Sequence, residues 1–196
     1  MANPLKSSTR PNVAVFASGN GSNFEAIARA NLPINLALVV SDKPQAKVIE
    51  RAHHHQIKTF VLELKNCLDK TDYETQILNQ LKQHNIDFIL LAGYMKIIHP
   101  TLLEAYPQKI INIHPAYLPH FPGKDGIGDA FKAGVSETGV TIHYVDEGVD
   151  TGQIIAQQKV PRYQTDQLED LANRIHKVEH QLYPETIRNL IEKGEL

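Results

Sequence analysis

Apolar runs of strand length alternate with segments of helical period along the first two-thirds of the chain. Residues 12–17, 34–41, 59–62, 88–92 and 110–114 are short apolar runs, and 88–92 (Phe-Ile-Leu-Leu-Ala) is the most hydrophobic. Between them, 24–30, 45–55 and 70–84 are predicted helices; in the last, Tyr73, Ile77, Leu78 and Leu81 fall at helical spacing. The last third reads differently. Residues 139–145 and 153–160 are two strands joined by 146–152, which predicts a hairpin. Residues 166–193 form a long helical tail with Leu168, Leu171, Ile175, Val178 and Leu182 on one stripe, and Pro184 predicts a kink or an interruption in it.

Alternating strands and helices predict an α/β fold. The expected frame is a predominantly parallel twisted sheet with helices on both faces and a Rossmann-like N-terminal half. Ligands of such sheets sit beyond the carboxyl ends of the strands. Three features fall there: the turn at 18–23, the end of the strand at Asn112–His114, and the loop 146–152.

Composition narrows the partners. The chain has 196 residues, 42% hydrophobic and 21% charged, which suits one globular domain over 1–196 with residues 1–11 as a polar lead-in. Twenty Lys and Arg face 22 Asp and Glu, a net charge of -2, so neither nucleic acid nor an anionic membrane is the expected partner. No apolar run reaches the ~18 residues of a membrane span. A single cysteine, Cys67, makes no intrachain disulfide and no Cys-based zinc site, and fits a cytoplasmic location.

The turn Ser18-Gly19-Asn20-Gly21-Ser22-Asn23 lies where a strand feeds a helix. Glycine allows the tight turn, and a helix start presents unpaired N–H groups and the positive end of its dipole. Such a site takes an anion, most naturally a phosphate. Phe24 stands in the place of the third glycine of a dinucleotide fingerprint, which is therefore lacking, and no P-loop lysine is present. Asp42 ends the second strand, where a ribose-binding acid of a dinucleotide site sits. The plainer alternative is a βα turn with Ser22 as its N-cap.

On the strand at 110–114, alternation puts Asn112 and His114 on one face. An amide N–H stabilises an oxyanion, and an imidazole moves a proton near neutral pH. The alternative is a satisfied core histidine in a rigid, proline-rich loop. Asp150 shares its loop with Asp146 and Glu147, and spacing alone does not choose among the three. His53, His54 and His55 are consecutive, point different ways around a helix, and suit its C-terminus better than a metal. His114, His143 and Asp150 lack the spacing of the common metal motifs, Cys67 has only Lys65 as a cationic neighbour, and no Gly-x-Ser-x-Gly elbow is present.

Four blocks in order, 16–23, 91–98, 112–119 and 139–152, carry a family resemblance over nearly the whole chain from Asn12. The chain resembles the phosphoribosylglycinamide formyltransferases, the folate-dependent glycinamide ribonucleotide transformylases of purine synthesis. The resemblance implies formyl transfer from 10-formyltetrahydrofolate to the amine of glycinamide ribonucleotide, without a metal. It implies that His114 is the general acid, that Asn112 polarises the formyl oxygen, and that Asp150 favours the charged form of His114 and helps shuttle protons. It further implies that Gly21, Ser22 and Asn23 hold the ribonucleotide phosphate and that Glu179 contacts the ribose. Met95, Lys96, Ile97 and Ile98 match the folate wall, together with Asn112, and Lys70 stands where the family often has an arginine touching folate.

Three departures stand out. Lys124-Asp125-Gly126-Ile127-Gly128 replaces a His-containing stretch of some members, Gln153 stands where proline is common, and lysine at 70 lacks the guanidinium fork. A 10-formyltetrahydrofolate hydrolase shares the Asn/His/Asp set but carries a further N-terminal domain, and a methionyl-tRNA formyltransferase carries a C-terminal one. The expectation from 196 residues is against both. A non-enzymatic phosphate- or nucleotide-binding module would use the glycine turn alone.

Overall fold

The computed structural model describes residues 10–196, so most of the lead-in at 1–11 lies outside the described residues. The elements are β1 (Asn12–Phe16), α1 (Ser22–Arg29), β2 (Asn35–Ser41), α2 (Lys47–His54), β3 (Lys58–Val61), α3 (Lys70–Gln83), β4 (Phe88–Leu91), α4 (Pro100–Ala105), β5 (Ile110–His114), α5 (Gly126–Lys132), β6 (Glu137–Tyr144), β7 (Ile154–Pro161) and α6 (Leu168–Glu192). The strands form one seven-stranded sheet in the order β3-β2-β1-β4-β5-β6-β7. β1 to β5 pair in parallel, and β6 and β7 join antiparallel, which is the expected hairpin.

Alternation along β1 shows why helices cover both faces. Val13, Val15 and Ala17 pack with Phe24 and Ile27 of α1, Val48 of α2, and Leu171 and Ile175 of α6. Ala14 and Phe16 face the other way, onto Tyr73, Ile77 and Leu81 of α3 and Leu102 of α4. Both layers are apolar, as the uninterrupted hydrophobic strands require.

The helix starts are set differently. Asp69 caps α3 by accepting from the Asp72 N–H at 2.8 Å, and Asp125 caps α5 by accepting from Gly128 at 3.1 Å. α6 begins with a reciprocal Gln167–Asp170 capping box. α1 begins at Gly21 with no side-chain cap, so Ser22 is its first helical residue and not its N-cap.

α6 runs unbroken through Pro184, against the interruption expected there. Proline removes one intrahelical bond. Tyr183, Pro184, Ile187 and Leu190 are all buried, and that burial outweighs the lost bond.

Candidate active site

The order of the strands fixes where a ligand can go. β1 is followed to one side by β2 and β3, and the chain then crosses back to β4 on the other side. The loops after β1 and β4 therefore diverge, and the crevice between them is the switch point of the sheet. Backbone bonds hold its walls: the Ser18 N–H donates to Gly93 O at 3.0 Å, and the Met95 N–H to Ser18 Oγ at 2.8 Å. A cleft of about 580 Å³ opens here and runs on past β5 to the loop before β7.

One end of the cleft is the glycine turn. Gly21 has φ +75°, in the left-handed region that favours glycine. A Cβ on it would lie 2.7 Å from Val48 Cβ, so α2 also approaches too closely for a side chain. The open start of α1 thus presents the backbone of Ser22 and Asn23 to the cleft. Glu179 of α6 lines the same end and is only 5% exposed. Burial pushes its carboxyl up to about 7, against the opposing effect of the Asn23 amide beside it. His176 Nε2 lies 4.0 Å from it, and burial lowers the His176 pKa.

The middle of the cleft comes from the β5–β6 pair. Antiparallel register sets Asn112 opposite His143 and His114 opposite Thr141. Side chains opposite one another share a face of the sheet. Asn112 Nδ2 lies 3.2 Å from His143 Nε2 and 3.4 Å from Asp150 Oδ1. His143 Nδ1 lies 2.8 Å from Tyr144 O, a pure acceptor, so Nδ1 carries a hydrogen and Nε2 of the neutral ring accepts from Asn112. The same Nε2 lies 3.5 Å from Asp150 Oδ1.

His114 is buried at 3% exposure. Its Nε2–H donates to the Phe121 carbonyl at 2.8 Å, and its Nδ1 faces Asp150 Oδ2 at 3.4 Å. Asp150 itself sits at φ +55°, a conformation aspartate tolerates better than most residues. Its Oδ2 also accepts from the Gly123 N–H at 2.7 Å. Burial raises the Asp150 carboxyl, but the facing His143 ring, the Gly123 N–H and the His114 imidazole outweigh it, and the net shift is downward. An ionised carboxylate at neutral pH, an imidazole on it and an amide beside both can polarise a carbonyl and move a proton.

The far wall is residues 91–98. Met95 and Ile97 leave about half their surface open, 47% and 57%, while Ile98 is buried. Lys96 also lines the wall and lies 3.8 Å from Asp42 Oδ2, so Asp42 faces a lysine. Lys70 is placed differently from the other expected residues. It opens α3, lies 2.7 Å from His99 Nε2, and is not among the residues lining the cleft.

Sequence reasoning overlooked the Phe121 carbonyl and Gly123 N–H that grip His114 and Asp150, and considered His143 only as a metal ligand. Among the described residues no group of three or more His, Cys, Asp or Glu is placed to hold a metal ion. Among them, too, no helix is long and apolar enough to cross a membrane.

A mostly parallel α/β sheet with an open helix start and an amide–imidazole–carboxylate cluster along one switch-point cleft is the architecture of a group-transfer enzyme. The chain belongs to the formyl transferase family, which it matches over residues 11–187. It is 54% identical to the phosphoribosylglycinamide formyltransferase of Bacillus subtilis, covering 91% of this chain and 93% of that protein. Among solved structures it is 55% identical to glycinamide ribonucleotide transformylase 1 from Geobacillus kaustophilus, with a TM-score of 0.91 over 93% of this chain and 99% of that one. The phosphoribosylglycinamide formyltransferase of Streptococcus pneumoniae is 51% identical, with a TM-score of 0.89 over 92% of this chain and 99% of that one.

Proposed function

We propose that this protein transfers the formyl group of 10-formyltetrahydrofolate to the primary amine of glycinamide ribonucleotide. The observation that carries the reading is one continuous cleft: an open helix start at one end, Asn112, His114 and Asp150 in the middle, and an apolar wall at the other end. Phosphate goes to the backbone of Gly21, Ser22 and Asn23, the ribose hydroxyls to Glu179, and the folate ring system to residues 95–98. Lys70, turned toward His99, has no part in this assignment.

The amine nitrogen attacks the formyl carbon, a C–N bond forms, and the carbonyl oxygen becomes an oxyanion. Asn112 donates to that oxygen, a contribution on the order of 3 kcal/mol for one donor. As the oxyanion collapses back to a carbonyl, the C–N bond to folate breaks and the folate nitrogen leaves with a proton from His114; the proton lost by the amine returns to His114, so the pair ends as it began. Asp150 balances the charge that His114 gains and loses. Holding both substrates in line supplies much of the remaining acceleration.

We read the chain as one formyltransferase domain acting in the cytoplasm on these two small molecules. The single sheet shared by α1 to α6 among the described residues, the near-neutral charge and the lone free thiol of Cys67 support that reading. The test mixes the protein with a 10-formylfolate donor, with and without glycinamide ribonucleotide. Donor consumption that requires the amine is expected. Formate release that proceeds equally without it would reassign the protein as a hydrolase.

A further inference from the structure

The anion end of the cleft is an exposed turn, yet it must keep one shape to present the start of α1. Gly19 and Asn20 are both exposed, and α1 supplies no side-chain cap to stiffen them. The stiffening comes from α2. The Val48 N–H donates to Gly19 O at 3.2 Å, and the Val48 side chain closes against Gly21. One turn further on, Arg51 grips the residue between them. Its Nε–H donates to Asn20 O at 2.8 Å and an Nη2–H to Asn20 Oδ1 at 2.9 Å. Val48 and Arg51 are three residues apart, on one face of α2, so a single helix edge holds all of Gly19, Asn20 and Gly21.

Arg51 is in turn held by α1. Its Nη1 lies 3.5 Å from Glu25 Oε2, and Glu25 also pairs with Arg29 and His55. Burial pushes the Glu25 carboxyl up, but its cationic partners outweigh that and keep it below the usual range, so it stays ionised at neutral pH. Glu25 follows Gly21 by four residues, and the Glu25 N–H donates to Gly21 O at 2.9 Å. The chain from Asn20 to Glu25 is thus closed by Arg51 into a loop fixed at both ends. The guanidinium spends its fork on Asn20 and its charge on Glu25, which leaves it a shape-holding role and not that of an anion ligand.

We propose that Arg51 is a positioning residue for the anion site: through Asn20 it sets the turn so that the start of α1 meets the ribonucleotide phosphate. The inference rests on the formyltransferase reading, which assigns that phosphate to Gly21–Asn23. Pre-setting a binding loop raises affinity by removing the cost of ordering it. The effect belongs to the ribonucleotide and not to folate, whose wall follows β4.

The experiment compares steady-state kinetics and calorimetric ribonucleotide binding in Arg51→Met, Arg51→Lys, Asn20→Ala and the double variant Arg51→Met/Asn20→Ala. Arg29→Met is the control, since it removes another partner of Glu25 that touches nothing in the turn. Arg51→Met is expected to raise KM and Kd for the ribonucleotide roughly tenfold. Folate KM and kcat should stay within about twofold, because groups in the reacting centre are untouched. Lysine, which keeps one donor to the Asn20 carbonyl, should recover part of the loss. The double variant should be no worse than Arg51→Met alone, because both act through one contact. Ribonucleotide KM unchanged in Arg51→Met, equal rises in both KM values, or the same loss in Arg29→Met would overturn the inference. The unaltered protein is measured first: absence of ribonucleotide binding there would strike the functional reading itself, separately from the role of Arg51.

Discussion

The two sides of the sheet build their parts of the cleft by different means. On the parallel side, β1 and β4 end in turns whose backbone does the work: an open helix start, a left-handed Gly21, and a wall stitched by Ser18 and Gly93. On the antiparallel side, β5 and β6 bring side chains together across strands, Asn112 with His143, and a loop then lays Asp150 over His114. One side is a matter of shape and the other of functional groups. The first should therefore break when a Cβ is added, and the second when a titratable group is removed with the backbone left in place.

The largest effect is expected on the antiparallel side. His114→Ala should lower kcat by about 10²–10⁴-fold, the usual worth of a general acid. Ribonucleotide affinity should hold within a few-fold, because the glycine turn proposed to take its phosphate hangs on β1. Turnover near that of the unaltered enzyme would remove His114 from proton transfer, and lost ribonucleotide binding would erase the distinction between the two sides.

Gly21→Ala applies the opposite treatment to the parallel side. The left-handed backbone costs an L-residue roughly 1–2 kcal/mol. The contact with Val48, at 2.7 Å from the new Cβ, adds about 1–3 kcal/mol of overpacking. Urea unfolding should show that loss, and ribonucleotide KM should rise while kcat at saturation is largely kept. A stable variant with normal KM would show that the turn does not need its glycine.

Glu179 joins both descriptions, a titratable group set in the shaped end. Its carboxyl is raised from 4.5 to about 7, so the folded state holds a proton that the unfolded state has released. The stability this gives is complete below the unfolded value and is lost as pH rises through the folded one. Between pH 5 and pH 8, Glu179→Gln should therefore gain up to about 3 kcal/mol on the unaltered protein. Urea melts of both across that range read the difference directly, and a flat difference would mean that Glu179 is ionised throughout.

The same contrast decides what was legible in the sequence. The strand runs at 12–17, 88–92 and 110–114 match β1, β4 and β5 to within a residue, because buried parallel strands are continuous apolar runs. α3 was legible from Tyr73, Ile77 and Leu81, all of which are buried. α4 and α5, six and seven residues long, were not, since neither spans enough turns to show a period. The start of α4 is held by Glu74 on α3, whose carboxylate accepts from the backbone N–H groups of His99 at 2.6 Å and Leu102 at 3.1 Å, a partner no local pattern reveals. The glycine turn was readable as an open helix start lining the cleft, because its backbone chemistry is local. His143 was not readable as a neighbour of Asn112, because that contact depends on the register of β5 against β6. Spacing could not separate Asp150 from Asp146 either; the fold does, by directing Asp150 to His114 and Asp146 to the Gly148 N–H and Thr151 hydroxyl of its own loop.

The smallest expected effect tests the seam between the sides. The Tyr183 hydroxyl, fully buried on α6, donates to the carbonyls of Leu91 on β4 and Ile111 on β5, at 3.1 and 3.0 Å. Those strands carry the 91–98 wall of the cleft on one side and Asn112 on the other. One hydrogen shared by two carbonyls has a net worth of about 1 kcal/mol. Tyr183→Phe keeps the ring and its packing, so it isolates that bond. Thermal unfolding should shift down by roughly 2–4 °C, the response of a chain this size to 1 kcal/mol. If the sheet alone ties the two sides together, kcat and both KM values will stay within about twofold, since β4 and β5 remain paired through the Leu90–Ile111 and Leu91–Asn112 register. A tenfold fall in kcat with both KM values unchanged would instead show that the phenol holds Asn112 to its place through Ile111, and the division between a shaped side and a chemical side would then run through α6 and not between β4 and β5.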